Sequence, residues 1–264
     1  MSLDTEDYWT ALAIQEVANT YGDSVSVDKK KKSLLKFGEN PAVGTAEATL
    51  MEFLGSETSE TYATGNDIDG LVFDDTFTGA VTIEGHTISG SDLTFVSQTI
   101  NATSTTKATL TTPLYRATRI FNASGTNMPA NSKGYVYASS GVSLIDGVPQ
   151  TASSVKIIMS AAEQQSLKAA TSLSSQDYAF VTEIYASINK KTQGGAVIRF
   201  KVRDSGGVFR TVFKRGINSL GPDLNFKVRP YKIIPKNADI IITAEADSAA
   251  AVSGGFNSIL AIIQ

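Results

Sequence analysis

The sequence predicts an all-β protein: an N-terminal β domain (41–150) and a C-terminal jelly-roll-like β-sandwich (151–264), behind a short N-terminal helical arm (1–40). The first observation is alternation. Ala196, Ile198, Phe200 and Val202 alternate with Val197, Arg199, Lys201 and Arg203. Asp204 to Gly207 supplies a turn, and Phe209, Thr211 and Phe213 then alternate with Arg210, Val212 and Lys214. This is a hairpin with one apolar and one mainly basic face, and the apolar face needs a second sheet to cover it. The second observation is number: about seven or eight strand-like segments lie between 155 and 263, the count of a jelly roll. No helix long enough for a parallel crossover separates them. The third is the abundance of Ala, Ser, Thr and Gly in mid-chain, which favours strands and turns over long helices.

Taken in order, residues 4–21 form the best helix. Asp4 or Thr5 caps it, Glu6 and Asp7 suit the positive end of its dipole, and Gly22 ends it. Ala11, Ile14, Val17, Ala18 and Tyr21 share a stripe, preceded by Tyr8 and Trp9. Such a helix packs on its own domain or docks on a neighbouring subunit; its apolar surface at the chain end and its acidic surroundings lead us to expect the second for residues 1–40. The run Lys29 to Lys32 reads as a solvated turn or arm, and Gly38 to Gly44 as a loop. Thr49–Phe53 is ambiguous. Short strands follow at Leu71–Phe73, Ala80–Ile83, Leu93–Val96, Lys107–Leu110, Pro113–Phe121, Gly134–Tyr137 and Val142–Ile145, at the spacing of a sandwich or small barrel. Val148–Ser154 reads as the domain junction. Val155–Ile158 reads as the first strand beyond it, and Ser160–Glu163 has the spacing of a helix start. Tyr178–Asn189, the hairpin, Leu224–Arg229, Asp239–Ala246 and Gly255–Ile263 complete the second domain, with a turn at Pro230–Lys232, and Phe200, Val202, Phe209, Phe213, Phe226, Ile240, Ile242, Phe256 and Leu260 are expected to be buried between its two sheets.

Composition excludes several chemistries. There are no cysteines, hence no disulfides and no thiolate metal sites. No apolar run approaches the ~20 residues that span a bilayer, and the acidic N-terminus lacks the apolar core of a secretory signal, so no membrane partner is expected. The net charge of −3 hides an asymmetry. Residues 1–80 hold 15 acids against 5 lysines, a net of −10; residues 178–236 hold 12 Lys and Arg against 3 acids, a net of +9. One half of a copy can therefore attract the other half of its neighbour.

No catalytic, cofactor or metal constellation is visible. His86 is the one histidine, so a His-based triad or metal cluster lacks partners, and a structural place in or beside a turn is expected. Asp67 and Asp69, with Asp74 and Asp75 nearby, resemble a fragment of a calcium loop. Leu71 and Thr78 stand where further oxygen ligands would be, so no metal is expected. Gly194-Gly195 and Gly206-Gly207 lack phosphate-loop spacing. The basic face of Arg199, Lys201 and Arg203 reads as solvated, or as meeting an acidic subunit, with nucleic acid last.

Two groups of segments resemble a known family. One comprises Glu60–Asp69, Val81–Thr87, Phe95–Gln98 and Thr112–Asn122. The other comprises Thr182–Asn189, Val197–Arg203, Gly206–Phe209, Asp239–Ile242 and Ser253–Phe256 with the apolar tail after it. Together they are similar to virion structural proteins of tailed phages, particularly marine podoviruses, over most of 35–125 and 155–264. The resemblance implies a non-enzymatic capsid or tail component with a jelly-roll head, without cofactor or catalytic residues, made in the host cytoplasm and carried on the outer surface of the particle.

The expected role is capsid decoration, a cement protein stabilising the head. The alternatives are a tail or fibre component, including a receptor-binding tip, and a polysaccharide-degrading spike. The expected partners are other copies in a homotrimer and the major capsid or tail proteins, with no direct nucleic-acid contact. The expected interface residues are Tyr8, Trp9, Ile14 and Val17 of the arm, Arg199, Lys201 and Arg203 of the basic face, and Ile259 and Ile263 of the last strand, with Val197 and Val212 adding apolar area.

Overall fold

A computed structural model describes residues 5–26, 33–189, 194–221 and 223–263. The run Lys29 to Lys32 and the Asp4 cap lie outside these residues. The chain opens with α1 (Thr5–Tyr21), β1 (Val25–Ser26), β2 (Ser33–Val43) and β3 (Ala48–Thr49). A second group follows: β4 (Ile68–Phe73), β5 (Ala80–Ser89), β6 (Asp92–Asn101), β7 (Ala108–Leu114), β8 (Arg116–Asn122), β9 (Lys133–Ala138), β10 (Leu144–Ile145), β11 (Val148–Pro149) and β12 (Val155–Ser160). The last group is β13 (Ala170–Ser172), β14 (Asp177–Asn189), β15 (Gly195–Arg203), β16 (Arg210–Asn218), β17 (Asp223–Ile234), β18 (Asp239–Ala246) and β19 (Ala250–Ile263). Among the described residues the protein is all-β apart from α1 and one short 3-10 turn.

The strand pairs are nested. β2 pairs with β19, β3 and β13 with β18, β14 with β17, and β15 with β16, all antiparallel. This long hairpin is then rolled, so that β19 also pairs with β14 and β18 with β15. Two sheets result. One is β2-β19-β14-β17, with β1 lengthening the β2 edge; the other is β3/β13-β18-β15-β16. Eight strand positions in this order make a jelly roll.

One of those positions is filled by two pieces of chain. Along β18, Ala244 and Thr243 face Ala48 and Thr49, while Ile241 to Asp239 face Ala170 to Ser172. At the gap Leu50 N donates to Ile242 O at 2.9 Å, Ile242 N to Ala169 O at 2.9 Å, and Ala169 N to Leu50 O at 2.9 Å. Residues 51–168 therefore leave and return at one point of one strand. The jelly roll is built from 33–50 and 169–263, and the other β domain is inserted into it. This corrects two sequence boundaries. Ser33–Val43, read as arm and loop, is an edge strand of the roll. Val155–Ile158, read as the first strand of the C-terminal sandwich, pairs with β9 in the inserted domain.

The strand over Gly38, Asn40 and Pro41 was hidden by its composition. An edge position tolerates proline, and Gly38 is required by close approach: a Cβ there would lie 2.1 Å from Leu50 O and 2.2 Å from Ala169 N. Two further expectations fail. Ser160–Glu163 forms turns and a bridge instead of a helix, and Pro230–Lys232 lies within β17, where the register jumps.

The predicted register of β15 holds: Ala196, Ile198, Phe200 and Val202 are buried between the sheets while their neighbours face outward. Of the other expected core residues, Ile240, Ile242 and Phe256 are fully buried, and Phe213 and Leu260 pack at the margin. Phe226 is half-buried against Phe213, with ring centres 4.8 Å apart. Phe209 leaves the core and lies beside Tyr62, under the Arg203 guanidinium.

The inserted domain packs β12-β9-β4-β7 against β6-β5-β8, around Leu71, Phe73, Ile83, Leu114, Ile120 and Met159. The Gln98 side chain bonds both backbone groups of Thr112 (2.7 and 2.9 Å), joining β6 to β7 where the sheets meet. Helix α1 lies on the outer face of the β14-containing sheet. Ala13 and Val17 are buried there against Tyr178, Phe180, Ile233 and Ala261.

Candidate interaction surfaces

The arm residues are spent within the chain. Trp9 and Ile14 are half-buried in the contact between α1 and the sheet, Val17 is fully buried, and Ile259 and Ile263 line the same contact from β19. Only Tyr8 of the four stays open, at 52 % exposure. The buried side of α1 runs through Trp9, Ala13, Ile14 and Val17, so the predicted stripe holds at Ile14 and Val17 and fails at its other three members. Ala11, Ala18 and Tyr21 accordingly face solvent. The expectation that residues 1–40 serve mainly another polypeptide is thus corrected for the described part. Burying a residue such as Val17 contributes about 1.5–3 kcal/mol to the chain's own fold.

The basic face is corrected in the same sense. Lys201 Nζ lies 2.8 Å from Glu47, Arg199 lies 2.6 Å from Glu245 and 3.8 Å from Glu47, and Arg203 pairs with Asp239. Glu47 and Asp23, from the acidic first segment, meet Lys201 and Lys236 of the basic one. Part of the charge asymmetry is therefore closed inside one copy. Val197 is half-buried, and Val212 is 40 % exposed.

Where the inserted domain meets the roll, a charged seam is buried. Asp239, at the start of β18, accepts from Arg116 of the inserted domain (Nε at 3.3 Å), from Arg203 (Nε at 3.0 Å) and from Ser172 (2.5 Å). Burial alone would raise its pKa; Arg116, Ser172 and Arg203 outweigh that and hold the carboxyl below its ordinary value. The Arg116 guanidinium is sandwiched by Tyr115 (3.6 Å) and Tyr62 (4.6 Å), and donates to Ala63 O and Tyr115 O. Lys168, on the returning linker, meets Glu60 at 2.6 Å with both side chains at most 5 % exposed, and also donates to Ala117 O and Lys156 O. Lys36 of β2 donates to Thr118 O across the seam at 3.1 Å, and burial lowers its pKa to about 8. Sequence reading missed this seam because its members are scattered from 36 to 239 and acquire meaning only through the insertion.

His86 borders the same seam. It sits in mid-β5, not in a turn, and is 4 % exposed with its ring edge-on to Phe95. Nδ1 has no hydrogen-bond partner among the described residues. Burial first, then Lys36, push its pKa down to about 4 against the opposing pull of Asp239 and Asp177. Asp69 is occupied by Lys107 Nζ (2.8 Å) and by the Ser139 amide and hydroxyl. Among the described residues no group of acids or histidine has the arrangement of a metal site.

The open side of the roll differs. On this side β16 and β17 are the edge strands of the two sheets. Between them runs a cleft of about 380 Å³ lined by Val212, Phe213, Phe226, Val228 and Lys232, with Glu16 and Tyr21 of α1 at one end.

No family model matches the chain, and no curated protein matches it. Among solved structures, one described as "Structure of infectious bursal disease virus Gt strain" aligns with 95% of this chain and 78% of that chain, at 9% identity and a TM-score of 0.21. A likeness at that score carries no argument about the role of this chain.

Proposed function

We propose that the protein is a structural component of a virus particle, and more specifically a decoration protein on the outside of a phage head. The observation behind this is the order of the eight strand positions, an architecture of viral capsid and lectin domains and of cupins. The interior disfavours a cupin-like enzyme. The space between the sheets is filled by Phe200, Ile198, Ile242 and Phe256, and the one histidine lies in the other domain. A shell component must keep its shape under load. The paired linkers and the buried Glu60–Lys168 and Arg116–Asp239–Arg203 clusters tie the inserted domain to the roll. Removing one partner of such a buried pair costs about 3–5 kcal/mol.

Contact with a major capsid protein and assembly into trimers belong to this reading. Closed symmetry protects sheet edges, and Leu35 and Phe37 of edge strand β2, 64 % and 37 % exposed, offer apolar area for it. Quantitative mass spectrometry of purified particles tests the assignment. Hundreds of copies per particle support decoration, a handful would move the protein to the tail, and absence from the particle would end the virion reading. Light scattering at micromolar concentration tests the trimer, which is expected to survive high salt; a monomer at both salts refutes it.

A further inference from the structure

We infer that the open side of the jelly roll is a docking groove for an extended acidic segment of another polypeptide, which adds a strand to β16 and places its apolar side chains in the cleft. Among the described residues β16 pairs only with β15, and β17 only with β14, so each presents a row of backbone donors and acceptors to solvent. The floor between them is apolar. Phe213 and Phe226 lie ring against ring in the cleft, and Val212 stands 40 % exposed at its lip. The two edge strands are cationic. β16 and β17 carry Arg210, Lys214, Arg215, Lys227, Arg229 and Lys232, all exposed, against Asp223 as their one acid. Lys232 lines the cleft together with Glu16 of α1, whereas Lys227 and Arg229 lie on the side of β17 that faces Leu35 and Ile259.

Of these six cations, Lys227 alone has a salt bridge among the described residues, to Glu183 at 3.0 Å. Arg215 stands over the Phe226 ring at 6.0 Å, and Lys232 lines the cleft itself. The contrast with Arg199, Lys201 and Arg203 on the neighbouring strand is direct, since each of those has its carboxylate.

Cations on an edge strand also serve to prevent edge-to-edge pairing. A guard of that kind does not require an open apolar cleft behind it. Together the two features fit a strand that brings carboxylates to the edge cations and small apolar side chains to the floor, by addition to a sheet edge. A second copy docking through its own β16 would set Arg210, Lys214 and Arg215 against like charges, which is unfavourable. The apolar floor likewise distinguishes the site from a phosphate-tracking surface, which needs cations along its length. The groove is a property of this chain alone, so its test does not depend on where the protein works.

The probe is a fluorescein-labelled nine-residue peptide alternating Glu and Val, titrated against the whole protein by anisotropy, with hydrogen exchange read over 210–218. The basic counterpart alternating Lys and Val is the control. The acidic peptide is expected to bind about tenfold or more tighter than the basic one, more weakly at high salt, and to protect β16 amides. Arg210→Glu with Lys214→Glu on β16, and separately Arg229→Glu with Lys232→Glu on β17, are each expected to lower its affinity. Because these side chains are exposed, circular dichroism should show both variants folded, and either pair alone suffices if the other does not fold. Absence of binding overturns the inference, as does binding unchanged by both reversals or protection elsewhere than at the edges. Displacement of the peptide by a duplex DNA oligonucleotide or by phosphatidylglycerol vesicles would overturn it too, by assigning the groove to phosphate.

Discussion

Glu60→Gln is the sharpest probe of how the inserted domain is held. Glu60 follows the outgoing linker and Lys168 sits on the returning one, with Nζ and carboxylate 2.6 Å apart and neither side chain more than 5 % exposed. The amide keeps the shape and one neutral acceptor oxygen but removes the charge, leaving a buried ammonium without a counter-ion and with only neutral oxygens, Ala117 O and Lys156 O among them, to accept from it. Breaking one side of a buried pair costs about 3–5 kcal/mol, whereas replacing both sides by apolar groups is often near neutral. The double variant Glu60→Leu, Lys168→Met should therefore recover part of the loss. Recovery stays incomplete because two carbonyls lose their donor, at about 1–3 kcal/mol each at most. Urea unfolding of wild type, the single variants Glu60→Gln, Glu60→Leu and Lys168→Met, and the double variant gives the losses and a coupling term for the Leu/Met cycle. A Glu60→Gln cost below about 1 kcal/mol, the range of exposed pairs, would refute a buried pair at this linker.

Three other outcomes are expected. Phe200→Ala, at 1 % exposure and edge-on to Phe256 at 5.3 Å, should cost about 3–5 kcal/mol in chemical unfolding; a loss under about 1 kcal/mol would show that the two sheets do not close on this ring. His86 titrates at about 4 in the folded protein and near 6.5 unfolded. Between those values the unfolded chain binds a proton that the folded one does not, so stability should fall as pH drops through the window, by roughly 3 kcal/mol, and His86→Leu should flatten the profile measured from pH 7 to 4. Removing residues 1–22 uncovers Tyr178, Phe180 and Ile233, so the truncated protein should lose thermal stability and self-associate in light scattering; an unchanged, monodisperse protein would mean that α1 is a free arm after all.

What could be read in the sequence was whatever repeats at short range. The alternation at 196–203 fixed which side chains of β15 face inward, and Phe200, Ile240, Ile242 and Phe256 were found by the same rule. Helix α1 was visible from its cap and Gly22, but its buried row was only partly so, because the stripe leaves more than one face apolar: Ile14 and Val17 lie on the buried one, and Ala11, Ala18 and Tyr21 do not. β2 was invisible because the residues that allow an edge strand there, Gly38 and Pro41, are those that mark a loop elsewhere. The six cations at the open side were legible as charge, yet the sequence could not separate them from Arg199, Lys201 and Arg203, whose carboxylates come from Glu47, Asp239 and Glu245.

The insertion explains why the domain boundary was misplaced. Turn residues cluster near 148–154, which makes that stretch resemble a junction between consecutive domains. In the fold it only leads from β11 to β12 inside one domain. The true junction is a pair of points, Leu50 and Ala169, with residues 51–168 between them and a hydrogen bond of 2.9 Å joining them. Nothing local marks either point: Leu50 and Ala169 are ordinary buried residues of a strand, and the strand is whole only when both pieces lie against Ile242. This geometry also has a folding consequence. β2 and β3 must find β19 and β18 across nearly the whole chain, so the roll closes late unless the inserted domain forms first and brings Leu50 and Ala169 together, shortening the loop that pairing must close. Destabilising the insert at Phe73, which is fully buried in its core, should then slow refolding of the roll as well as weaken the insert. Stopped-flow refolding of Phe73→Leu with the roll's own signal as readout decides it, and an unchanged roll rate would show that the two pieces of the strand meet without help from the insert.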